Sequence, residues 1–398
     1  MKKDNMSTEK LNLYFDATAT KPIDADLLAE YCANLKTYYA NPAAVYDSGL
    51  ASKKLIQDAL ADLAKYFGVE SRQLLVTSGA TESTNTVFYN FAKRHRQQDV
   101  ILLGAGEHQA SQIAAYRLAK DLNLKLVIVP LADDYRLNLS ELENLFKQYG
   151  ERILALSNLS VSNETGTIND LAAISRLLKQ YAPKALWHVD DVQGWGKIYF
   201  DFTELKVDYV TLAGHKIGAP KGIGLLYIRE PKYFQPFIVG GGQQNNLRSG
   251  TENPPLVRAL ALANSKHCAL AELDKNWKHL SKLRNLLLTE LKPIDYVCHT
   301  ANEAWQYPGL LALSFKDIRG EVLLHSLERY GIAVSTSSSC HNLAAGTKNQ
   351  KVFGEPIFKE PFKDNHLRIT LTSEHTEADI KYLANAIKQE VNLLRSHK

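Results

Sequence analysis

Between about residues 74 and 228, short apolar runs alternate with amphipathic stretches. The runs read LLVT, VILLG, LKLVIVP, RILALS, ALWHVD, DYVTLAG and GIGLLYI. Several are separated by segments such as DLAAISRLLKQY, whose apolar residues recur at helical spacing. Strand, helix, strand in this rhythm predicts an α/β domain built on a largely parallel sheet. Only a polar loop separates the last two runs, so an antiparallel, hairpin-like pair is expected there.

The loop IVGGGQQNNLRSGTENPP, Ile238 to Pro255, closes this region and leads into a long helical pattern from Pro255 to Leu291. A smaller unit follows: strand LLALSF, helix EVLLHSLERYG and strand IAVST, then the loop of Cys340, strand LRITL and a last helix. Thr376 with Asp379 three residues on marks the start of that helix as a capping pair.

Composition adds exclusions. The 398 residues are 45% hydrophobic and 23% charged, with a net charge of +4, too slight to argue for nucleic acid or an anionic membrane. The densest basic run, AKRHRQ from Ala92 to Gln97, reads as a solvated helix face. The N-terminal segment MKKDNMSTEKLN has no apolar core of a secretory signal, and no stretch approaches the roughly 18 apolar residues of a membrane span. Cys32, Cys268, Cys298 and Cys340 are scattered, with no ligand-like spacing, so neither a disulfide framework nor a metal site is expected. The chain reads as cytoplasmic, soluble and reduced, and core packing is the expected role of the first three cysteines.

Candidate chemistry sits where strands end, since ligands of open α/β sheets bind beyond the carboxyl ends of the strands. After QLLVT comes SGATES, Ser78 to Ser83, whose small residues at a strand-to-helix turn suit a phosphate or a plain tight turn. After DVILLG comes His108, which fits a helix cap or a ligand contact. Asn163 and Glu164 follow RILALS, and Asp190 ends an apolar strand with Gln193 three residues on. A carboxylate there needs a cationic partner, either a buried arginine or a ring nitrogen, because an unpaired charge costs several kcal/mol. His215 and Lys216 end the next strand. Pyridoxal phosphate explains these together: it needs a lysine for its Schiff base, a carboxylate for its ring nitrogen and a phosphate cradle. Cys340 stands apart, in the polar stretch VSTSSSCHNLAAG, where a packing role has little support.

These motifs resemble the cysteine desulfurases of the pyridoxal-phosphate-dependent, class V aminotransferase-like group. The matching stretches are YFDATATKP, NPAAVY, TSGATESTN, GEHQA, NETGTI, HVDDVQGWGKI, GHKIGAPKGIGLLYI, GGGQQNNLRSGT, SSSC and LRITL, in order over about residues 14 to 371. The resemblance implies a fold type I pyridoxal-phosphate transferase. Its large cofactor-binding domain, residues 15–258, would hold a seven-stranded, mostly parallel sheet. A smaller α+β domain would comprise residues 1–14 and 259–398 and carry the cysteine loop.

It further implies that Lys216 anchors the cofactor and moves protons, and that Asp190 pairs with the ring nitrogen. Gln193 contacts the phenolic oxygen, Asn163 lies near that oxygen and the substrate carboxylate, and His108 stacks on the ring and relays a proton as a catalytic residue. Ala80, Thr81 and His215 hold the phosphate, with Thr251 reaching it across a dimer interface. Arg368 clamps the substrate carboxylate, and Cys340 takes sulfur from L-cysteine as a persulfide, leaving L-alanine. The implied partners are L-cysteine, a protein sulfur acceptor in iron–sulfur assembly or tRNA thiolation, and a second copy of the chain, with neither a membrane nor direct contact to nucleic acid.

The chain departs from the pattern at Ala17, Lys21, Tyr46 and Ala213, and His341 follows the cysteine directly. Ala213 replaces the serine of a Ser-x-His-Lys phosphate motif, with Thr211 as a candidate substitute. Two other readings therefore stay open. One is a pyridoxal-phosphate lyase or transaminase acting on selenocysteine or another small amino acid, with Cys340 incidental. The other is a catalytically degenerate accessory protein of sulfur transfer.

Overall fold

The computed structural model describes residues 13–96, 99–300, 302–336, 357–358 and 360–396. Cys340 and its loop lie outside the described residues. Twelve strands are seen among them, and all seven apolar runs become strands of one sheet. These are β2 (Leu74–Thr77), β3 (Val100–Gly104), β4 (Lys125–Val129), β5 (Ile153–Leu159), β6 (Leu186–Asp190), β7 (Tyr209–Ala213) and β8 (Gly224–Ile228).

The order is β2-β8-β7-β6-β5-β3-β4. Strands β7, β6, β5, β3 and β4 run parallel, and β8 is antiparallel to both β7 and β2. The expected antiparallel pair is thus β7–β8, which turns β2 to point the same way as the parallel strands. Strands β3, β5, β6, β7 and β8 are buried along their whole length, as strands covered on both faces must be. That is why they read as unbroken apolar runs. Edge strand β4 is only partly buried and begins on the exposed Lys125.

Helices α3 (Ala80–Ala92) and α4 (Gln109–Asp121) cover one face, with Phe88, Phe91 and Ala115 buried against the sheet. On the other face lie α1 (Ala25–Thr37), α2 (Asp47–Phe67), α5 (Leu139–Tyr149), α6 (Leu171–Tyr181) and α8 (Pro254–His267). The single-turn α7 (Phe202–Leu205) lies between β6 and β7 in sequence. Each fully buried Leu or Ile in these layers contributes about 1.5–3 kcal/mol.

The remaining strands form two small sheets. In one, β10 (Leu310–Ser314) lies between β9 (Val297–Cys298) and β12 (His366–Thr370), all antiparallel. In the other, β1 (Leu13–Tyr14) pairs in parallel with β11 (Ile332–Ala333). Helices α9 (Leu270–Leu291), α10 (Gly320–Glu328) and α11 (Glu377–Ser396) pack here, sharing a core with Phe15. Thr376 and Asp379 cap α11 reciprocally: the Asp379 carboxylate accepts from the Thr376 amide at 2.8 Å, and the Thr376 hydroxyl accepts from the Asp379 amide at 3.3 Å.

Three local expectations change. The single helical stretch from Pro255 to Leu291 is two helices, broken at Cys268 and Ala269. Residue 258 lies within α8, whose apolar side chains as far as Cys268 pack with α1 and α2. The basic stretch Lys93 to Arg96 is exposed, but it follows the end of α3 at Ala92 rather than forming a helix face. Cys268 is buried and Cys298 half-buried, whereas Cys32 lies exposed on α1, a helix with only Leu27 fully inside. Among the described residues no helix is long and apolar enough to cross a membrane.

Candidate active site

The chain reverses its direction of travel across the sheet at β3: β4 lies on one side of it and β5 on the other. Ligand crevices open at the carboxyl ends of strands around such a reversal. Every strand-end candidate falls on that edge. The turn at 78–80 follows β2, His108 follows β3, Asn163 follows β5, Asp190 ends β6, and His215 and Lys216 follow β7.

The turn after β2 begins α3 with Gly79 as N-cap, at φ 155° and with no side-chain cap. A Cβ on Gly224 of the neighbouring strand would stand 2.7 Å from the Gly79 backbone, so glycine there lets the turn sit down on the sheet. Ala80 and the exposed Thr81 form the first turn of the helix, whose backbone N–H groups and positive dipole end suit a phosphate. The Ser78 amide is already taken, donating to Glu82 Oε2 at 2.8 Å.

His108 is the N-cap of α4, its Nδ1 accepting from the Ala110 amide at 3.1 Å. It is exposed and stands on the same strand-end edge as Asp190. Both sequence readings of His108, a cap and a site residue, are therefore compatible in one side chain. Asp190 is buried and accepts from the Val192 amide at 3.0 Å. Burial pushes its carboxyl above the usual carboxylate range, against the pull of His108 and Lys216. No ion pair to Asp190 is seen among the described residues, so the buried arginine weighed as its partner is not there.

Lys216 Nζ donates to the carbonyls of Thr18 at 2.7 Å and Ala19 at 2.9 Å. Those carbonyls belong to an N-terminal strap, residues 15–20, laid across the strand ends. Gln193 Nε2 donates to the same Thr18 carbonyl at 3.1 Å, while its Oε1 accepts from Lys197 Nζ. His215 Nδ1 meets Thr20 Oγ1 at 3.2 Å, and burial pulls its pKa down to about 4. The imidazole is therefore neutral at pH 7 and acts as a hydrogen-bonding group rather than a counter-charge.

Ala213 is buried at the end of β7, in the place of the missing serine. Thr211 does not substitute for it. Its Oγ1 is buried and bonded to His188 Nε2 at 2.9 Å, with His188 Nδ1 meeting Ser157 Oγ at 2.9 Å. That chain of three belongs to the interior of the sheet.

Arg368, on β12, reaches the strap from the other side. Its Nη1 donates to the Asn163 carbonyl at 2.9 Å and its Nη2 to Asp16 Oδ1 at 3.2 Å, with Glu164 Oε1 at 3.9 Å from Nη1. The fork expected to hold a substrate carboxylate is thus engaged by protein oxygens. Its Nε is buried and has no hydrogen-bond partner among the described residues. Asn163 donates from Nδ2 to Glu164 Oε1 at 3.1 Å, and Thr251 is exposed on the glycine-rich loop.

The structure thus brings Lys216, Asp190, Gln193, His215, Asn163 and Arg368 together around the strap. Sequence reasoning missed Asp16, Thr18 and Lys197. Lys197 carried a signal, standing four residues after Gln193 and so one helical turn away. Asp16 and Thr18 carried none, because the strap has no periodic pattern.

The donor set fits pyridoxal phosphate: a lysine amine, a buried carboxyl with no ion pair among the described residues, a helix N-terminus without a side-chain cap, and a neutral histidine on the same edge. An orphaned Arg368 Nε adds a site for a carboxylate oxygen.

The profile of the Aminotransferase class-V family matches residues 13–383. A protein named cysteine desulfurase IscS, from Rickettsia bellii, is 29% identical over 390 residues, covering 97% of this chain and 92% of its own. A probable mitochondrial cysteine desulfurase of Schizosaccharomyces pombe is 28% identical, covering 96% of this chain and 75% of its own. Among solved structures, a NifS-like protein superposes with a TM-score of 0.86 at 31% identity, over 96% of this chain and all of that one. The apo cysteine desulfurase of Thermococcus onnurineus superposes with a TM-score of 0.84 at 20% identity, a likeness of fold. With the match spanning nearly the whole chain, over a sheet and strand-end site of the expected kind, the chain belongs to the class-V aminotransferase family.

Proposed function

We propose that this protein is a pyridoxal-phosphate-dependent cysteine desulfurase, turning L-cysteine into L-alanine and passing the sulfur through Cys340 to an acceptor. The observation that carries the reading is that Lys216 and Gln193 converge on the Thr18 carbonyl at the carboxyl edge of the sheet, where the buried Asp190 ends β6 within the influence of the Lys216 charge. Relatives named cysteine desulfurase, aligned over nearly the full chain, support the substrate.

Lys216 would hold the cofactor, Asp190 its ring nitrogen, Gln193 its phenolic oxygen, and Ala80, Thr81 and His215 its phosphate, with His108 over the ring. When bound, pyridoxal phosphate supplies an electron sink next to the substrate's α-carbon. Lys216 then serves as the base and acid at that carbon, and the Thr18 and Ala19 carbonyls hold its amine while it is free. Arg368 and Asn163 orient the substrate carboxylate, with Arg368 Nε as the open donor.

The Cys340 thiolate attacks the substrate sulfur. The Cβ–S bond breaks, a Cys340 S–S bond forms, and protons return to the carbon skeleton as alanine leaves. Sulfur moves without any outside oxidant or reductant. The thiolate is the reactive form, which suits the polar sequence around Cys340. Free thiols of this kind also fit a reducing cytoplasm.

We also read the chain as two units, the large sheet with its covering helices and the small sheets with α9 to α11, and as a homodimer. The exposed apolar side chains of Tyr39 (79%), Val45 (88%) and, on the loop that carries Thr251, Val239 (75%) support a surface covered by a second copy.

The test is Cys340→Ala beside Lys216→Ala. Lys216→Ala should lose the covalently held visible absorbance and at least a thousandfold in alanine formation from L-cysteine. Cys340→Ala should keep the absorbance and lose transfer of sulfur to protein. Undiminished persulfide transfer by Cys340→Ala would remove the mechanism, and alanine formed only from selenocysteine would replace the substrate.

A further inference from the structure

Behind the strap lies a crevice that Lys216 lines on one side, with Lys21, Lys197 and His267, which the proposed reaction does not use, among its other lining residues. Space of about 60 Å³ is open there to the centres of water-sized spheres. At ~15 Å³ per water position it has room for about four such spheres, or one small ion with water. Lys21, Lys197, Lys216, His267, Asn276 and Ser373 are among its lining residues, and no aspartate or glutamate lines it.

The partners of its amines are neutral. Lys21 Nζ meets His267 Nδ1 at 3.0 Å, and His267 Nε2 stands 2.6 Å from Asp24 Oδ2. The Asp24 carboxylate accepts, so Nε2 carries the ring proton and Nδ1 accepts from Lys21. Lys197 Nζ donates to the Gln193 carbonyl oxygen. Among the described residues neither amine lies within ion-pair reach of a carboxylate. Positive groups withdrawn from water with only neutral partners call for an anion.

We propose that this crevice binds a small monovalent inorganic anion of halide size, bridging Lys21 and Lys197. The site touches the reaction at one remove, since Lys197 holds Gln193, Gln193 holds the Thr18 carbonyl, and that carbonyl accepts from Lys216. When Lys216 turns to a cofactor, Lys21 and Lys197 remain to hold the ion, with His267 positioning the Lys21 amine.

Binding is coupled to pH. Lys197 faces Lys216, Asp191, Arg368 and Lys21, and desolvation with the repulsion of Lys216 brings its pKa down to about 7. Asp191, its one acidic neighbour in that set, is itself pushed up by burial to about 8 and is mostly uncharged at pH 7. Burial also lowers Lys21, which faces Asp24, Glu374, Cys268 and Lys266. An anion draws a proton onto Lys197, so affinity rises as pH falls through 7.

The probe is bromide, titrated into cofactor-loaded protein in sodium gluconate at fixed ionic strength, with melting temperature as readout. Bromide should raise the melting temperature, with a Kd at least fivefold lower at pH 6.5 than at pH 8.5. Lys21→Gln should weaken it at least tenfold. Anomalous diffraction from a bromide-soaked crystal of the unmutated protein should place the ion between Lys21 and Lys197, which keeps the test valid if a variant fails to fold. Coincident melting curves in bromide and gluconate, or a bromide peak elsewhere alone, would overturn the proposal. No amino-acid substrate enters the measurement, so its failure is separable from a failure of the desulfurase reading.

Discussion

The two walls of the site are built in different ways. The sheet-side wall takes its groups from residues that end or follow strands: the turn at 78–80, His108, Asp190, His215 and Lys216. Each is positioned by its own strand, within a few residues. The opposite wall collects Asp16, Thr18, Asn163, Arg368 and Thr370 from distant segments; Asp16 meets Arg368, and Thr18 meets Thr370, across 352 residues of chain. The first wall rests on local geometry and the second on charges and hydroxyls that balance one another. The difference predicts where each wall is fragile.

The largest expected effect breaks the assembled wall. Arg368→Ala removes the cation shared by Asp16 and Glu164 in a nearly water-free place and should lower the unfolding free energy by about 3–5 kcal/mol. Arg368→Lys keeps the charge without the planar fork and should lose less, while substrate affinity falls in both. Denaturant unfolding of the cofactor-free proteins measures this. A loss under about 1 kcal/mol for Arg368→Ala would mean the wall stands without its charges.

A smaller effect sharpens the comparison on the sheet side. Asp191 is buried, with Oδ1 unpartnered among the described residues, and its pKa stands at about 8. An unfolded chain releases this proton near pH 4, so from there to about 8 the folded state binds the extra proton. Asp191 therefore takes stability away as pH rises from 5 to 8. Asp191→Asn should gain on the unmutated protein across that window, read by unfolding at several pH values. A difference that stays flat would show that Asp191 titrates as it does in water.

The smallest effect lies outside both walls. Thr376→Ala removes one half of the reciprocal cap on α11 and should cost about 1 kcal/mol, with cofactor absorbance unchanged. A loss of absorbance would tie α11 to the site and blur the contrast.

The same division decided what could be read in the sequence. All seven strands of the large sheet were legible, because strands buried on both faces leave unbroken apolar runs. Asp190 and Lys216 were legible with them, as polar residues ending such runs. The pairing of Arg368 with Asp16 was not, since nothing local to either residue specifies the other. Gln193 was visible, but its orientation comes from Lys197 and Thr18 and so from tertiary approach. The break between α8 and α9 was hidden because apolar periodicity runs through it. It appears only where α8 turns to α1 and α2 while α9 packs with α11.

The strap bears also on how the protein is made. It is made 352 residues before its anchors Arg368 and Thr370. A growing polypeptide can thus close the large sheet with Lys216 already in place, but its second wall waits until β12 has been made. Products that terminate before β12 would carry the lysine without the strap fastened over it.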